Sequence, residues 1–161
     1  MRAAIGTFVG CFLAASVLAS SPVHSQEMIY ATEPERIAEL LKGFGIARLG
    51  THSDGDPAIS GRMNGKTYEV FFFDCNNGRK CRNIQFWAYW DEPAQLDAIN
   101  AWNRQTRFGR TYLDDEDDLV LEYAVNMSHG IAERTLEDSA DIWMRMLKGV
   151  EEDILTKLRA K

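Results

Sequence analysis

The sequence predicts an α+β domain: one antiparallel sheet with helices packed on it. Three observations lead there. Runs of β-branched and aromatic residues are joined by short Asn-Gly and Asp-Gly turns, the signature of hairpins. Helical stripes occur only before, between and after those runs, in the order helix, four strands, helix, two strands, helix. A doubly wound parallel sheet would need strict alternation of strand and helix, and this order lacks it.

In chain order, residues 1–25 read as a secretory signal peptide. Arg2 is followed by the uncharged run Ala3 to Ala19, the breakers Ser20, Ser21 and Pro22, and Val23-His24-Ser25 as a cleavage site after Ser25. The run is a weak permanent span, so no stable membrane association is expected after cleavage. Residues 26–161 then form a single domain, periplasmic or secreted. Thr32-Glu33-Pro34-Glu35 has the pattern of a capping box, and Ile37, Leu40, Leu41 and Phe44 form the stripe of a first helix. Two strands follow, Ile46–His52 and Pro57–Met63, turning at Ser53-Asp54-Gly55-Asp56. Asn64-Gly65 leads into a third strand, Lys66–Asp74.

A fourth strand runs to Trp90. Between the third and fourth lie Cys75, the turn residues Asn77-Gly78, and Cys81. The two cysteines occupy facing ends of a hairpin, and in an oxidising compartment they are expected to pair. A redox pair would have two intervening residues rather than five, and a zinc site would need ligands the chain does not bring nearby. After Asp91-Glu92-Pro93 comes a second helix, Ala94 to about Arg104. The strands Arg107–Leu113 and Leu119–Asn126 flank the acidic turn Asp114 to Asp118. A last helix opens on a second capping box, Thr135 to Asp138. Its stripe is Leu136, Ala140, Trp143, Leu147, Val150, Ile154 and Leu158.

Composition narrows the function. The chain has 161 residues, 45% hydrophobic and 26% charged, which excludes a disordered tail or a collagen. A formal charge of −6 disfavours nucleic acid as a partner. No nucleophile elbow, phosphate loop or zinc-protease spacing occurs, so neither an enzyme nor a bound cofactor or metal is expected. Three features remain open. The carboxylates of Asp114 to Asp118 read as a solvated hairpin tip, with a cation as the alternative, although the glycine of a calcium loop is missing. Arg104, Arg107 and Arg110 either pair with that turn or the sheet edge, or clamp a partner's carboxylate. Phe71, Phe72, Phe73, Phe86, Trp87, Tyr89 and Trp90 load both faces of two adjacent strands. Either a helix covers the second face, or Phe72, Trp87 and their neighbours line an exposed patch.

The segment Ile99-Asn100-Ala101-Trp102-Asn103, followed by Arg107-Phe108-Gly109-Arg110-Thr111-Tyr112-Leu113-Asp114, resembles the central signature of YbjN-domain proteins. Asp54-Gly55-Asp56-Pro57 and Phe71-Phe72-Phe73-Asp74-Cys75 extend the likeness over nearly the whole mature chain. The resemblance implies a fold similar to type III secretion chaperones, a protein-binding or regulatory role, and by the same analogy a homodimer. It brings no catalytic residue. The signal peptide sets this chain apart from cytoplasmic members. The expected function is therefore an exported, non-enzymatic domain that binds a protein or peptide. Its binding residues are read as Asn100, Trp102, Asn103, Arg107 and Arg110, with satisfaction of backbone groups at the helix end as the other role for Asn100 and Asn103. A periplasmic sensor of a small molecule or cation is the alternative.

Overall fold

Six strands form one fully antiparallel sheet in a computed structural model that describes residues 27–156. The signal peptide expected over residues 1–25 and Leu158 of the expected last stripe lie outside those residues. The elements are β1 (Met28–Ile29), α1 (Pro34–Leu41), β2 (Ile46–Thr51), β3 (Pro57–Met63), β4 (Lys66–Phe73), β5 (Asn83–Trp90), α2 (Leu96–Gln105), β6 (Arg110–Leu113), β7 (Leu119–Asn126), β8 (Ile131–Ala132) and α3 (Glu133–Val150). A π-helical turn, Glu151–Leu155, continues α3. The α+β class is as the sequence predicts.

Strand order in the large sheet is β2-β3-β4-β5-β7-β6. β2 to β5 are the expected meander. β7, the later strand, inserts between β5 and β6. Its opening Leu119-Val120-Leu121 is buried on both faces, which suits an interior strand. Arg110-Thr111-Tyr112-Leu113, of which only Thr111 is fully buried, takes the edge.

Alternate positions supply the core. Tyr68, Val70 and Phe72 of β4, Ile84, Phe86, Ala88 and Trp90 of β5, and Leu119, Leu121 and Val125 of β7 are buried. α3 lies over them: the Trp143 ring sits 5.4 Å from that of Phe86. The predicted stripe is buried from Leu136 through Ile154. The π-helical turn shifts the phase there, so that consecutive Ile154 and Leu155 both face inward. The Trp90 indole N–H donates to the Glu151 carboxylate and ties this turn to β5.

The helix starts differ from the capping boxes. None of the three helices has a side-chain cap. α1 follows Glu33, whose carboxylate accepts the Tyr30 N–H at 2.9 Å. α3 begins at Glu133, two residues before Thr135, because β8 feeds straight into it. β8 pairs with β1, Met28 opposite Ala132, a two-residue contact too short to leave a periodic signal. Arg36 braces that corner: its guanidinium reaches Glu27 and Glu133 at 2.5 Å and donates to the Met28 carbonyl at 2.9 Å. These carboxylates, Glu133 foremost, hold it more firmly charged than usual.

Cys75 and Cys81 are bonded, with an S–S distance of 2.12 Å, at the facing ends of β4 and β5. Asn77 and Gly78 both take positive φ, 51° and 69°, as the tight turn requires. Gly78 is needed for a second reason. A Cβ there would lie 2.7 Å from the Gly55 carbonyl oxygen, so the hairpin tip rests against the β2–β3 turn.

Candidate binding site

The other face of the large sheet carries Glu69, Phe71 and Phe73 of β4, Gln85, Trp87 and Tyr89 of β5, and Glu122 of β7. Strand alternation points them away from the helices. No described helix covers this face. Rings run across it in a strip: His52 to Phe71 at 5.2 Å edge-on, Phe71 to Trp87 at 6.0 Å, and Trp87 to Tyr89 at 5.2 Å. Phe73 and Tyr89 are 44% and 45% exposed, although their neighbours in sequence, Phe72 and Trp90, are buried. The aromatic patch anticipated from the sequence is therefore present, but Phe72 belongs to the core. A shallow hollow of about 160 Å³ between His52, Asp54 and Phe73 ends the strip.

Glu122 lies directly opposite Trp87 on one side and Arg110 on the other. It is only 9% exposed, so its charge needs partners. Arg110 supplies them, with Nε at 2.9 Å and Nη2 at 2.7 Å from Oε2, and the Tyr112 hydroxyl donates to Oε1 at 2.6 Å. Burial, then the bond to Glu122, pushes the Tyr112 hydroxyl up to about 12. The same carboxylate raises Arg110. Arg110 thus pairs within the sheet rather than with the acidic turn.

The connector between α2 and β6 places the remaining predicted residues. Asn103 brackets Thr111: its Oδ1 accepts the Thr111 N–H at 2.9 Å and its Nδ2 donates to the Thr111 carbonyl at 2.9 Å. The Thr111 hydroxyl also donates to Oδ1 at 3.2 Å, so Asn103 serves β6 rather than its own helix end. Asn100 is exposed, and Trp102 is 6% exposed among core residues. Arg107 is exposed and lines two grooves. One, of about 510 Å³, lies between α2 and α3 and also touches Trp102, Arg145 and Gly149. The other, of about 390 Å³, opens on the sheet side beside Gln85, Arg110 and Ala124. So Trp102 and Arg107 share one groove, Arg107 and Arg110 the other, and Asn100 neither.

The acidic turn is organised by Asp114, whose Oδ1 accepts the N–H groups of Glu116 at 3.0 Å and Asp118 at 2.9 Å. Among the described residues, no three His, Cys, Asp or Glu side chains converge as a metal site would need. Sequence reasoning missed Glu122 and Tyr112. The signal available was a single carboxylate inside the apolar run Leu119 to Val125.

A family model described as "Putative bacterial sensory transduction regulator" matches residues 33–155, from the start of α1 through the π-helical turn. The chain belongs to the YbjN family. No curated protein matches it. The matched residues of this YbjN chain include the aromatic strip, the Glu122 cluster, the cysteine hairpin and both grooves around Arg107. Membership supports a regulatory or binding role in coarse terms.

Proposed function

We propose that this YbjN domain is an exported, non-enzymatic module that binds a protein or peptide partner on the open face of its sheet. The strip Phe71–Trp87–Tyr89 carries the reading. A contiguous aromatic surface in water is costly, and its usual occupant is another macromolecule. Aromatic side chains anchor such contacts at low entropic cost, having only two rotatable bonds. Binding rather than catalysis suits the Glu122 cluster, because its buried carboxylate is already shared between the Tyr112 hydroxyl and the Arg110 guanidinium. The leader pattern of residues 1–25 and the Cys75–Cys81 bond favour an oxidising compartment.

A displayed peptide library panned on the immobilised mature domain tests the binding face. Wild type should enrich peptides that a Trp87→Ala, Tyr89→Ala double variant fails to retain. Recovery of the same peptides by both would sink the reading. Export is tested separately, by the intact mass of the protein in the host. A chain beginning at Gln26 in the periplasmic fraction is expected, and a full-length chain in the cytosol would overturn it.

A small-ligand sensor is the second reading, favoured by one observation. A groove of about 460 Å³ lies between the start of α1, β2 and the cysteine loop, with Thr32, Glu35, Thr51, Arg79 and Lys80 on its walls. A small polar ligand seated there would raise the melting midpoint, which an aromatic-face peptide-binding module does not require.

A further inference from the structure

β7 is paired on both sides for only half its length. β5 runs beside it from Leu119 to Asn126, whereas β6 accompanies it only from Leu119 to Glu122. The chain leaves this edge at Gly109, where φ is 69°. A Cβ at Gly109 would lie 2.7 Å from the Glu122 carbonyl oxygen, so that carbonyl points to the β6 side. Backbone groups alternate along a strand, and those of Ala124 and Asn126 therefore point to the same side, beyond the end of β6. Ala124 is exposed, and no backbone hydrogen bond from outside the strands reaches it among the described residues.

The adjoining edge is handled differently. Thr111 turns its N–H and carbonyl outward from β6, and the Asn103 amide takes both. That amide imitates a paired strand and blunts the edge there. Among the described residues nothing comparable stands beside Ala124. Instead the groove of about 390 Å³ opens there, with Arg107 and Phe108 on its wall. Phe108 is 48% exposed and leans on the Tyr123 ring at 6.0 Å. The two arginines of this groove differ. Arg110 is bound to Glu122, while Arg107 forms no ion pair among the described residues.

We propose that this notch receives an extended acidic peptide segment of a partner protein, which adds a short strand alongside Ala124 and Asn126 and sets a carboxylate on Arg107. The proposal rests on the peptide-binding reading above and adds to the open face a second contact for the same partner, at the adjoining sheet edge. Main-chain pairing supplies the attachment, and the guanidinium selects the charge.

Three labelled heptapeptides test it, alternating threonine and valine with aspartate, asparagine or lysine at the centre, titrated by fluorescence anisotropy against the mature domain. The aspartate peptide should bind about tenfold or more tightly than the lysine peptide, and Arg107→Glu should invert that order. N-methylation of alternate peptide nitrogens should abolish binding. Ala124→Pro should weaken it about tenfold while leaving the melting midpoint close to wild type, because the nitrogen it alters makes no internal bond and proline is tolerated on a free edge. If Ala124→Pro does not fold, the Arg107→Glu and N-methyl arms decide alone. Equal binding of all three peptides, or none by any, overturns the proposal, as does full binding by Ala124→Pro. Binding lost in the Trp87→Ala, Tyr89→Ala variant but kept in Ala124→Pro overturns the edge and leaves the aromatic-face reading standing. A dimer that Ala124→Pro converts to monomer assigns the edge to a second copy of the chain and also overturns it.

Discussion

The two faces of the large sheet are made by the same strands and share an aromatic composition, yet they have opposite surroundings. On one, Phe86 lies under Trp143 with neither ring exposed. On the other, Trp87 and Tyr89 stand beside each other with no described helix above them. Adjacent residues of one strand thus do different work. Phe86 holds the fold together through the water it excludes, and Trp87 presents a surface. Aromatic content alone does not mark a core; what lies over the ring decides.

The largest effect expected from breaking this contrast is on the covered face. Phe86→Ala should destabilise the domain by about 3–5 kcal/mol, read from urea unfolding, because it removes a buried ring and leaves a cavity. Trp87→Ala, one residue along, should cost about 1 kcal/mol or less. Equal losses would mean that the open face is covered in solution, and an oligomer mass measured beside the unfolding curves would identify the cover.

Glu122→Ala should come next, at about 2 kcal/mol. It leaves the Tyr112 hydroxyl and the Arg110 guanidinium without their shared acceptor. The same variant should draw the Tyr112 hydroxyl part of the way back toward its ordinary value of 10.0, as followed by tyrosinate absorbance. An unchanged titration would show burial alone to be the cause.

Replacing Cys75 and Cys81 by serine should cost about 2 kcal/mol, a modest amount because the closed loop is short. The loss sharpens the comparison if hydrogen exchange rises around Phe73 and Asn83, next to the staple, while Trp143 stays protected. Uniform loosening of both faces would contradict it.

The smallest effect is on pH dependence. Folded, Tyr112 keeps its proton up to about 12, whereas the unfolded side chain releases it near 10.0. Between those values only the unfolded chain sheds that proton, so its contribution is complete below pH 10 and declines as pH rises toward 12. Tyr68, raised by burial, acts in the same direction. Tyr112→Phe should flatten the fall in unfolding midpoint over this window. An identical slope would remove Tyr112 from the account.

What could be read in advance follows from the range of each signal. The four-strand meander, the Asn77-Gly78 turn with its flanking cysteines, and the stripe from Leu136 to Ile154 are encoded in windows of a few residues, through period, turn conformation and burial. The helix starts were misjudged for a related reason. A capping box is one way to satisfy an entry, and here β8 and the Tyr30–Glu33 turn deliver the chain into the helices instead. Among the site residues, Arg107 and Arg110 were visible as a basic cluster on an acidic chain, but Glu122, which separates their roles, is twelve residues from Arg110 and became its partner only across β6 and β7.

By itself the sequence determined the class of fold, the six strands of the large sheet, the three helices apart from their starts, the cysteine hairpin and the family. Tertiary structure alone decided that β7 enters between β5 and β6, that β1 meets β8, that Phe72 is core while Phe73 is surface, and that Ala124 has no backbone partner on its outer side among the described residues. The physical reason is that any strand with exposed backbone groups can pair with any other. Local periodicity specifies which residues share a face, while the choice of neighbour, and of which face the helices cover, is made by packing between segments distant in the chain.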